Sequence, residues 1–189
     1  MRKNILVTGR PGIGKTTAVL RAVELLRTRG LKVGGMVSRE ERSGGVRVGF
    51  IVEDLLTGAC GYLAKVGPGP GPRVGKYHVV LSDLETVGVG AIRRALSEAD
   101  VVVIDEIGPM ELYSDAFKEA VREALDSPKP VLATIHIRAR RYPYTGSILS
   151  RPDVAVYTIT LSNRDSLPRV LASDVENALR FLSRGRAEE

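Results

Sequence analysis

A glycine-rich octapeptide near the N-terminus constrains the fold more strongly than any other part of this sequence. Gly9–Thr16 reads Gly-Arg-Pro-Gly-Ile-Gly-Lys-Thr and matches the pattern G-x-x-x-x-G-K-[ST]. It follows a short β-branched run, Lys3–Thr8, and leads into a segment of helix formers, Thr16–Arg29, that Gly30 ends. A buried strand, a phosphate-binding loop and a helix in this order predict the P-loop fold.

The loop residues predict a site for the phosphates of a nucleotide. Glycines let the backbone wrap a phosphate with its N–H groups pointing inward, and the N-terminus of the following helix adds a positive dipole end. The Lys15 ammonium would reach the β- and γ-phosphates, and the Thr16 hydroxyl would ligate Mg²⁺. We therefore predict that Lys15 is catalytic and that the nucleotide is bound by Gly9, Arg10, Pro11, Gly12, Ile13, Gly14, Lys15, Thr16 and Thr17.

Two carboxylates follow an apolar run at Val101–Ile104, which is typical of a strand buried on both faces. At the C-terminal edge of a parallel sheet, Asp105 and Glu106 would lie near the ligand crevice. Asp105 suits the role of a Mg²⁺ ligand, either direct or through a water, and is a predicted nucleotide contact. Glu106 could polarise a water for attack on the γ-phosphorus, which makes it the predicted catalytic base and a nucleotide contact. The alternative is a solvated strand end.

An adjacent Asp-Glu pair resembles the P-loop ATPases that use a catalytic glutamate. In that group an extra strand usually lies between the phosphate-loop strand and the aspartate-bearing strand, and it often ends in a polar residue that senses the γ-phosphate. Here Val131–Ile135 is such a strand, and Thr134 or His136 could be that residue. A merely structural role for both residues is the alternative.

Basic and polar residues after the last two predicted strands are further candidates. Arg138 and Arg141 could neutralise charge on the transferred phosphoryl group, or they could belong to a solvated basic loop. Asn163-Arg164-Asp165 is similar to the Asn-Lys-x-Asp element by which GTPases recognise guanine, although the lysine is replaced. Asn163 is therefore a candidate base contact, with a turn or capping role as the alternative. No residue set demands one base, which favours broad selectivity for ATP, GTP, CTP and UTP.

The remaining elements alternate between strands and helices and predict an α/β fold, a three-layer sandwich with a mostly parallel central sheet. An antiparallel hairpin is expected at Ser43–Gly45, and Ser173 with Glu176 forms a candidate capping box for a final helix. No linker divides the chain, so we expect one P-loop domain over residues 1–189. Further strands are predicted at residues 31–38, 46–53, 60–66, 77–81 and 153–161. Helices are predicted at residues 84–97 and 114–126.

The amino-acid composition restricts the class of protein but does not indicate which polyanion it binds. A net charge of +6 and a sequence pI of about 9.7 attract polyanions, both nucleotides and nucleic acid. Cys60, the single cysteine, excludes an internal disulfide and a multi-cysteine zinc site, and we expect it to be buried. No apolar stretch suits a membrane span or a signal peptide, so we expect a cytoplasmic protein without membrane contact. We also expect a monomer, and the absence of glutamine is typical of thermophile proteins.

Longer segments resemble one family, the THEP1-type nucleoside-triphosphatases. The resemblance covers nearly the whole chain and is most selective at Arg47–Phe50 and in the block Asp105–Leu112, which reads Asp-Glu-Ile-Gly-Pro-Met-Glu-Leu. It implies hydrolysis of several nucleoside triphosphates with Mg²⁺, and Lys15, Thr16, Asp105 and Glu106 stand in matching motifs. Many members carry lysine where this chain has Pro109; if that lysine contacts phosphate in them, another cation, such as Arg138 or Arg141, would have to replace it.

Two other functions compete with hydrolysis. A nucleotide or polynucleotide kinase would use the basic loop at Arg138–Arg141 as a lid over a phosphate acceptor. A switch would use bound nucleotide to shape a surface for nucleic acid or protein, and the basic clusters interleaved with tyrosines motivate nucleic acid as its partner.

Overall fold

The computed structural model describes residues 1–187, which build a mixed sheet of nine strands. The strands are β1 (Asn4–Thr8), β2 (Val33–Ser43), β3 (Val46–Asp54), β4 (Cys60–Val66), β5 (Arg73–Val74), β6 (Tyr77–Val79), β7 (Val101–Ile107), β8 (Val131–Ile135) and β9 (Val154–Thr158). Their spatial order is β5-β6-β4-β3-β2-β7-β8-β1-β9. The predicted domain end at residue 189 lies outside the described residues, and a single domain stays a prediction.

The sheet divides into a parallel and an antiparallel half. In the parallel half, each strand of the series β2, β7, β8, β1 and β9 is parallel to its neighbours in that series. In the other half, β3 pairs antiparallel with β2 and with β4, and β6 pairs antiparallel with β4 and with β5. The strand β8 lies between β7 and the phosphate-loop strand β1. The prediction of an α/β P-loop fold with a parallel centre and an antiparallel hairpin is confirmed, and the inserted strand is where it was expected.

Helices cover both faces of the parallel half. They are α1 (Lys15–Thr28), α2 (Leu81–Asp83), α3 (Gly90–Glu98), α4 (Asp115–Asp126), α5 (Pro143–Leu149) and α6 (Leu167–Ala187), with a π-helical turn at Leu84–Val89 and 3₁₀ turns at Glu111–Tyr113 and Ala139–Arg141. Apolar residues of α1 and α6 form one core with the sheet, and those of α3 and α4 form another on the opposite face.

Strand periodicity decides which face carries the polar residues of β7 and β8. Val101 and Val103 point into the core beneath α1, and Val102 and Ile104 point into the core beneath α3 and α4. Because side chains alternate along a strand, Asp105 continues the row that faces α1. The same alternation on β8 places Thr134 with Leu132 on that face. Both polar side chains therefore lie on the side where the phosphate loop enters α1.

Two local predictions were wrong, and one short helix was missed. Helix α6 begins at Leu167, so Ser173 lies inside it and caps nothing; buried Leu167 and Leu171 extend the apolar stripe backward by two turns. Helix α5 was not predicted, because its seven residues are too few for a clear period. Cys60, which was expected to be buried, is exposed at the first position of β4. Among residues 1–187, none of the helices has the length and apolar character needed to cross a bilayer.

Candidate active site

The phosphate loop presents backbone N–H groups at the start of α1. Gly12 and Gly14 have φ of 75° and 113°, in the left-handed region that glycine adopts without a steric penalty. Gly14 is the residue before α1, and no side chain caps the first turn. The N–H groups of that turn therefore stay open to a ligand, and the helix dipole favours an anionic one.

Lys15 bridges the loop and the acidic strand. Its Nζ lies 3.2 Å from the carbonyl oxygen of Gly9 and 3.6 Å from Oε2 of Glu106. Only 10% of the Lys15 side chain is exposed, so this positive charge is fixed within a narrow space. A phosphate entering the loop would meet an ammonium group that already faces the cavity.

Asp105 is a buried carboxyl with one unused oxygen. The Thr134 hydroxyl donates a hydrogen bond to Oδ1, whereas Oδ2 is buried and has no hydrogen-bond partner among the described residues. Burial raises the pKa of Asp105 to about 6, although Thr134, Thr16 and Lys15 favour the ionised form. An unpartnered carboxylate oxygen beside a threonine hydroxyl is a pair of donors that suits Mg²⁺.

Glu106 faces the same cavity from the next position of β7. Burial raises its pKa, and the nearby Lys15 ammonium opposes that shift. A quarter of its side chain, 24%, remains exposed. Glu106 is thus a partly desolvated carboxylate next to a cation, and such a group can accept a proton from a water at the cavity wall.

A cavity of about 650 Å³ joins these groups. The predicted site residues that line it are Pro11, Gly12, Gly14, Lys15, Thr16, Thr17, Asp105 and Glu106. The other predicted loop residues, Gly9, Arg10 and Ile13, complete the turn without lining the cavity. Gly9 is buried so closely against Ile159 that an added β-carbon would lie 2.6 Å from that side chain. The structure therefore brings together the loop and the acidic pair, which are distant in sequence.

Four of the remaining predicted residues, Thr134, Arg138, Arg141 and Asn163, do not line the cavity. Thr134 is fully buried behind Asp105, which gives it a role in orienting that carboxylate. Arg138 and Arg141 are exposed, and neither lines the cavity. Asn163 accepts a hydrogen bond from the Thr160 N–H and donates one to the Thr158 carbonyl, so its amide stabilises the turn after β9. His136, the alternative to Thr134, does line the cavity.

Sequence reasoning missed Glu111, a third carboxyl of the cavity. It is 4% exposed and lies in the 3₁₀ turn after β7. Burial raises its pKa to about 8, and the charge of Glu106 adds to the shift. A β-carbon on Gly108 would lie 2.9 Å from Glu106 Oε1 and 3.1 Å from Glu111 Oε2, so both carboxyls border this glycine. The raised pKa of Glu111 therefore favours its protonated form at neutral pH.

The antiparallel hairpin also lines the cavity, a role that sequence reasoning missed. Arg47 Nε donates to the Tyr77 hydroxyl at 2.7 Å, and its NH1 group donates to Glu40 at 2.7 Å. The guanidinium carbon lies 5.0 Å from the centre of the Phe50 ring. Arg47, Phe50 and Glu40 line the cavity together. This wall fixes one arginine between a carboxylate and two aromatic rings.

Comparison with known proteins identifies the family. The model of a family described as NTPase matches residues 4–172. The chain belongs to the NTPase family. The nucleoside-triphosphatase THEP1 of Thermofilum pendens is 65% identical over 92% of this chain and 95% of its own length. The protein of the same name from Methanosarcina acetivorans is 48% identical over 89% of this chain and 94% of its own length. The predicted THEP1-type nucleoside-triphosphatase family, and with it an enzyme, is confirmed.

Two solved structures share the fold of this NTPase. The crystal structure of THEP1 from the hyperthermophile Aquifex aeolicus has a TM-score of 0.81, with 33% identity over 92% of this chain and 99% of that one. The solution structure of a human cancer-related nucleoside triphosphatase has a TM-score of 0.79, with 38% identity over 94% of this chain and 98% of that one. The P-loop architecture is therefore common to the matched length of the family.

Glu111 should make the stability of this NTPase depend on pH. Its folded pKa of about 8 is above the ordinary value of 4.5, so between these values the folded state holds a proton that the unfolded state has lost. The free energy of unfolding should therefore fall as pH rises through this window and level off above it. Asp105 acts in the same direction only up to about pH 6, and Glu106, whose pKa is also raised by burial, adds to the fall.

Denaturant unfolding without Mg²⁺ or nucleotide measures this dependence. Glu111→Gln keeps the neutral shape of the protonated acid, so the decline between pH 6 and 8 should become clearly smaller. Glu119→Gln, at an exposed glutamate paired with Arg122 on α4, is the control and should keep the decline. A decline of equal size in Glu111→Gln and the parent would contradict the assignment.

Proposed function

We propose that the protein hydrolyses nucleoside triphosphates to diphosphate and phosphate with Mg²⁺, with little selectivity for the base, in the cytoplasm of a heat-adapted organism. The observation that carries the hydrolytic site is the separation of 3.6 Å between Lys15 Nζ and Glu106 Oε2 at one cavity wall. It brings a phosphate-binding cation and a proton acceptor to the same point. Family membership supports the same reaction class.

The reaction follows from these groups. The free N–H groups of α1 and the Lys15 ammonium bind the phosphates, so that the γ-phosphorus faces Glu106. A water oxygen attacks the γ-phosphorus while the bond to the bridging oxygen breaks. The Glu106 carboxylate accepts the proton that the water loses and later releases it to solvent. The diphosphate then leaves with the bridging oxygen, and Glu106 is ionised again.

Thr16 and Asp105 are the residues that would hold Mg²⁺. The buried and unpartnered Oδ2 of Asp105 supports this assignment. Mg²⁺ is commonly held by one or two protein ligands, with phosphate oxygens and waters completing its shell. The ion would neutralise charge on the β- and γ-phosphates. Within residues 1–187 no cluster of three or more His, Cys, Asp or Glu side chains could hold a metal alone, which agrees with a metal that is shared with substrate.

Broad base selectivity is supported by the side chains near the turn after β9. The one candidate for a base contact, Asn163, uses its amide oxygen and nitrogen within its own turn. A base that lay there would find no free amide on Asn163 to distinguish adenine from guanine. We therefore expect the triphosphate, rather than the base, to supply most of the affinity.

Phosphate release from ATP, GTP, CTP and UTP, with Mg²⁺ or with EDTA, tests the proposal. We expect all four to be hydrolysed at rates within about tenfold of one another. The nucleotides would differ by no more than about one hydrogen bond to the base, and one hydrogen bond changes a rate by about that factor. EDTA should abolish release because the phosphate charge is then not neutralised. Release from one nucleotide alone, or unchanged release in EDTA, would contradict the proposal. Release that requires an added acceptor would favour the kinase alternative.

A further inference from the structure

A second cavity, of about 300 Å³, lies beside the first. It is lined by Arg73, Val74, Pro109, Leu112, Tyr113 and Tyr142. Val74 and Pro109 line both cavities, so the two are separated by little more than these side chains. None of the residues that bind phosphate or accept the proton in the proposed reaction lines the second cavity. Its lining is therefore free for another ligand.

Two exposed aromatic rings distinguish this cavity. Tyr113 is 52% exposed and Tyr142 is 40% exposed. Their hydroxyls make no hydrogen bond within residues 1–187, whereas each of the other tyrosines of the chain uses its hydroxyl in one: Tyr62, Tyr77, Tyr144 and Tyr157. The two rings thus present flat apolar surface to solvent without a structural partner for their polar end.

Positive charge around the cavity is not neutralised by the described chain. Arg73 lines it, and the segment before Tyr142 carries Arg138, Arg140 and Arg141; none of the four forms an ion pair within residues 1–187. Several other arginines are paired with carboxylates, although Arg10 and Arg164 are not within the described part of the chain: the paired ones include Arg39, Arg42, Arg47, Arg93, Arg94, Arg122 and Arg151. The charge and the rings together complement a ligand with flat rings and several anions.

We propose that this cavity and the adjoining arginines bind single-stranded nucleic acid, with a base on the tyrosine rings and phosphates on the arginines. Aromatic rings within a basic surface are the usual means of binding single strands without sequence preference. The three arginines at 138–141 lie outside the cavity, so a chain of phosphates can use them while a base occupies the cavity. This partner goes beyond the proposed hydrolysis and does not depend on it.

The position of the cavity links strand binding to the hydrolytic site. Pro109, Leu112 and Tyr113 belong to the segment that begins directly after β7, which carries Glu106. The same segment contains the buried Glu111. A bound base would therefore touch the chain on both sides of Glu111, and we expect it to change the rate of phosphate release.

Fluorescence polarisation of a labelled oligouridylate, titrated with the full chain at low salt, tests the proposal. Since stacking on one aromatic ring contributes about tenfold or more in affinity, Tyr113→Ala and Tyr142→Ala should each weaken binding by about that factor. Tyr→Phe variants at both positions should bind as the parent does, because stacking needs the ring and not the hydroxyl. Binding should also weaken steeply as salt rises.

Matched controls separate this site from general surface effects. Phe181→Ala removes an aromatic side chain that is 57% exposed on α6, and Arg122→Ala removes a paired arginine on α4; both should bind as the parent does. No polarisation change at low salt, equal binding by the Tyr→Ala variants, or competition by uridine monophosphate as strong as by the oligomer would overturn the proposal. These outcomes are independent of whether triphosphates are hydrolysed.

Discussion

Glu106→Gln is expected to slow phosphate release by roughly a hundredfold, the contribution typical of a positioned general base, while leaving nucleotide affinity nearly unchanged. Glutamine keeps the size of the side chain but cannot accept the proton from the attacking water. The substitution also removes the negative partner that lies 3.6 Å from Lys15, so the ammonium is freer to contact phosphate. Single-turnover hydrolysis and equilibrium binding of Mg·ATP measure the two effects separately.

The control for Glu106→Gln is Glu123→Gln, which removes a carboxylate of α4 that is paired with Arg93 of α3. Its rate of phosphate release should equal that of the parent. If Glu106→Gln hydrolyses ATP as fast as the parent does, Glu106 is not the proton acceptor. A loss of binding in Glu106→Gln would instead indicate a damaged fold, which unfolding measurements on the same variant reveal.

Lys15→Ala should weaken the binding of Mg·ATP by roughly a hundredfold, the scale of truncating one partner of a desolvated charge pair. Only 10% of the Lys15 side chain is exposed, so little solvent screens its charge from a bound phosphate. Hydrolysis should fall at least as far, because the same ammonium faces the γ-phosphate when the bond breaks. Isothermal titration and single-turnover hydrolysis with saturating nucleotide distinguish the two losses.

Lys118→Ala is the matched control for Lys15→Ala, since it removes a lysine that is paired with Asp115 on α4. It should bind and hydrolyse as the parent does. Unchanged affinity in Lys15→Ala would exclude the loop as the phosphate site, whatever the family. Both lysine variants need a check of folded structure, because Lys15 also offsets the buried charge of Glu106.

Most of the fold could be predicted because its signals are local. The apolar runs of β7 and β8 are continuous in the sequence, and strands buried on both faces have this pattern. Helix α5 has too few residues for a helical period, and α6 begins before its polar Ser173 because buried leucines precede it. The predicted boundary of an element was wrong where burial in the tertiary structure, and not the local sequence pattern, determines where the element ends.

The predictable part of the site was the part that lies in contiguous motifs. Residues of the phosphate loop and the acidic pair line one cavity, as their motifs indicated. Glu111 escaped notice because a lone glutamate in a turn has no pattern, and only its burial in the folded chain marks it. The hairpin wall at Arg47 and Phe50 depends on pairing between distant strands, which no local pattern reveals. Asn163 had a suggestive motif, but its hydrogen bonds serve the turn.

The end of the sheet at β5 bears on self-association. This strand has two residues, and it follows a segment that alternates glycine and proline from Gly67 to Pro72. Proline offers no backbone N–H, and so short a strand exposes almost no unpaired ladder to another chain. Copies of the protein therefore cannot join their sheets along this side into a continuous array. Fibrils grow when a strand of one molecule pairs with an exposed edge strand of another, and β5 offers no such edge.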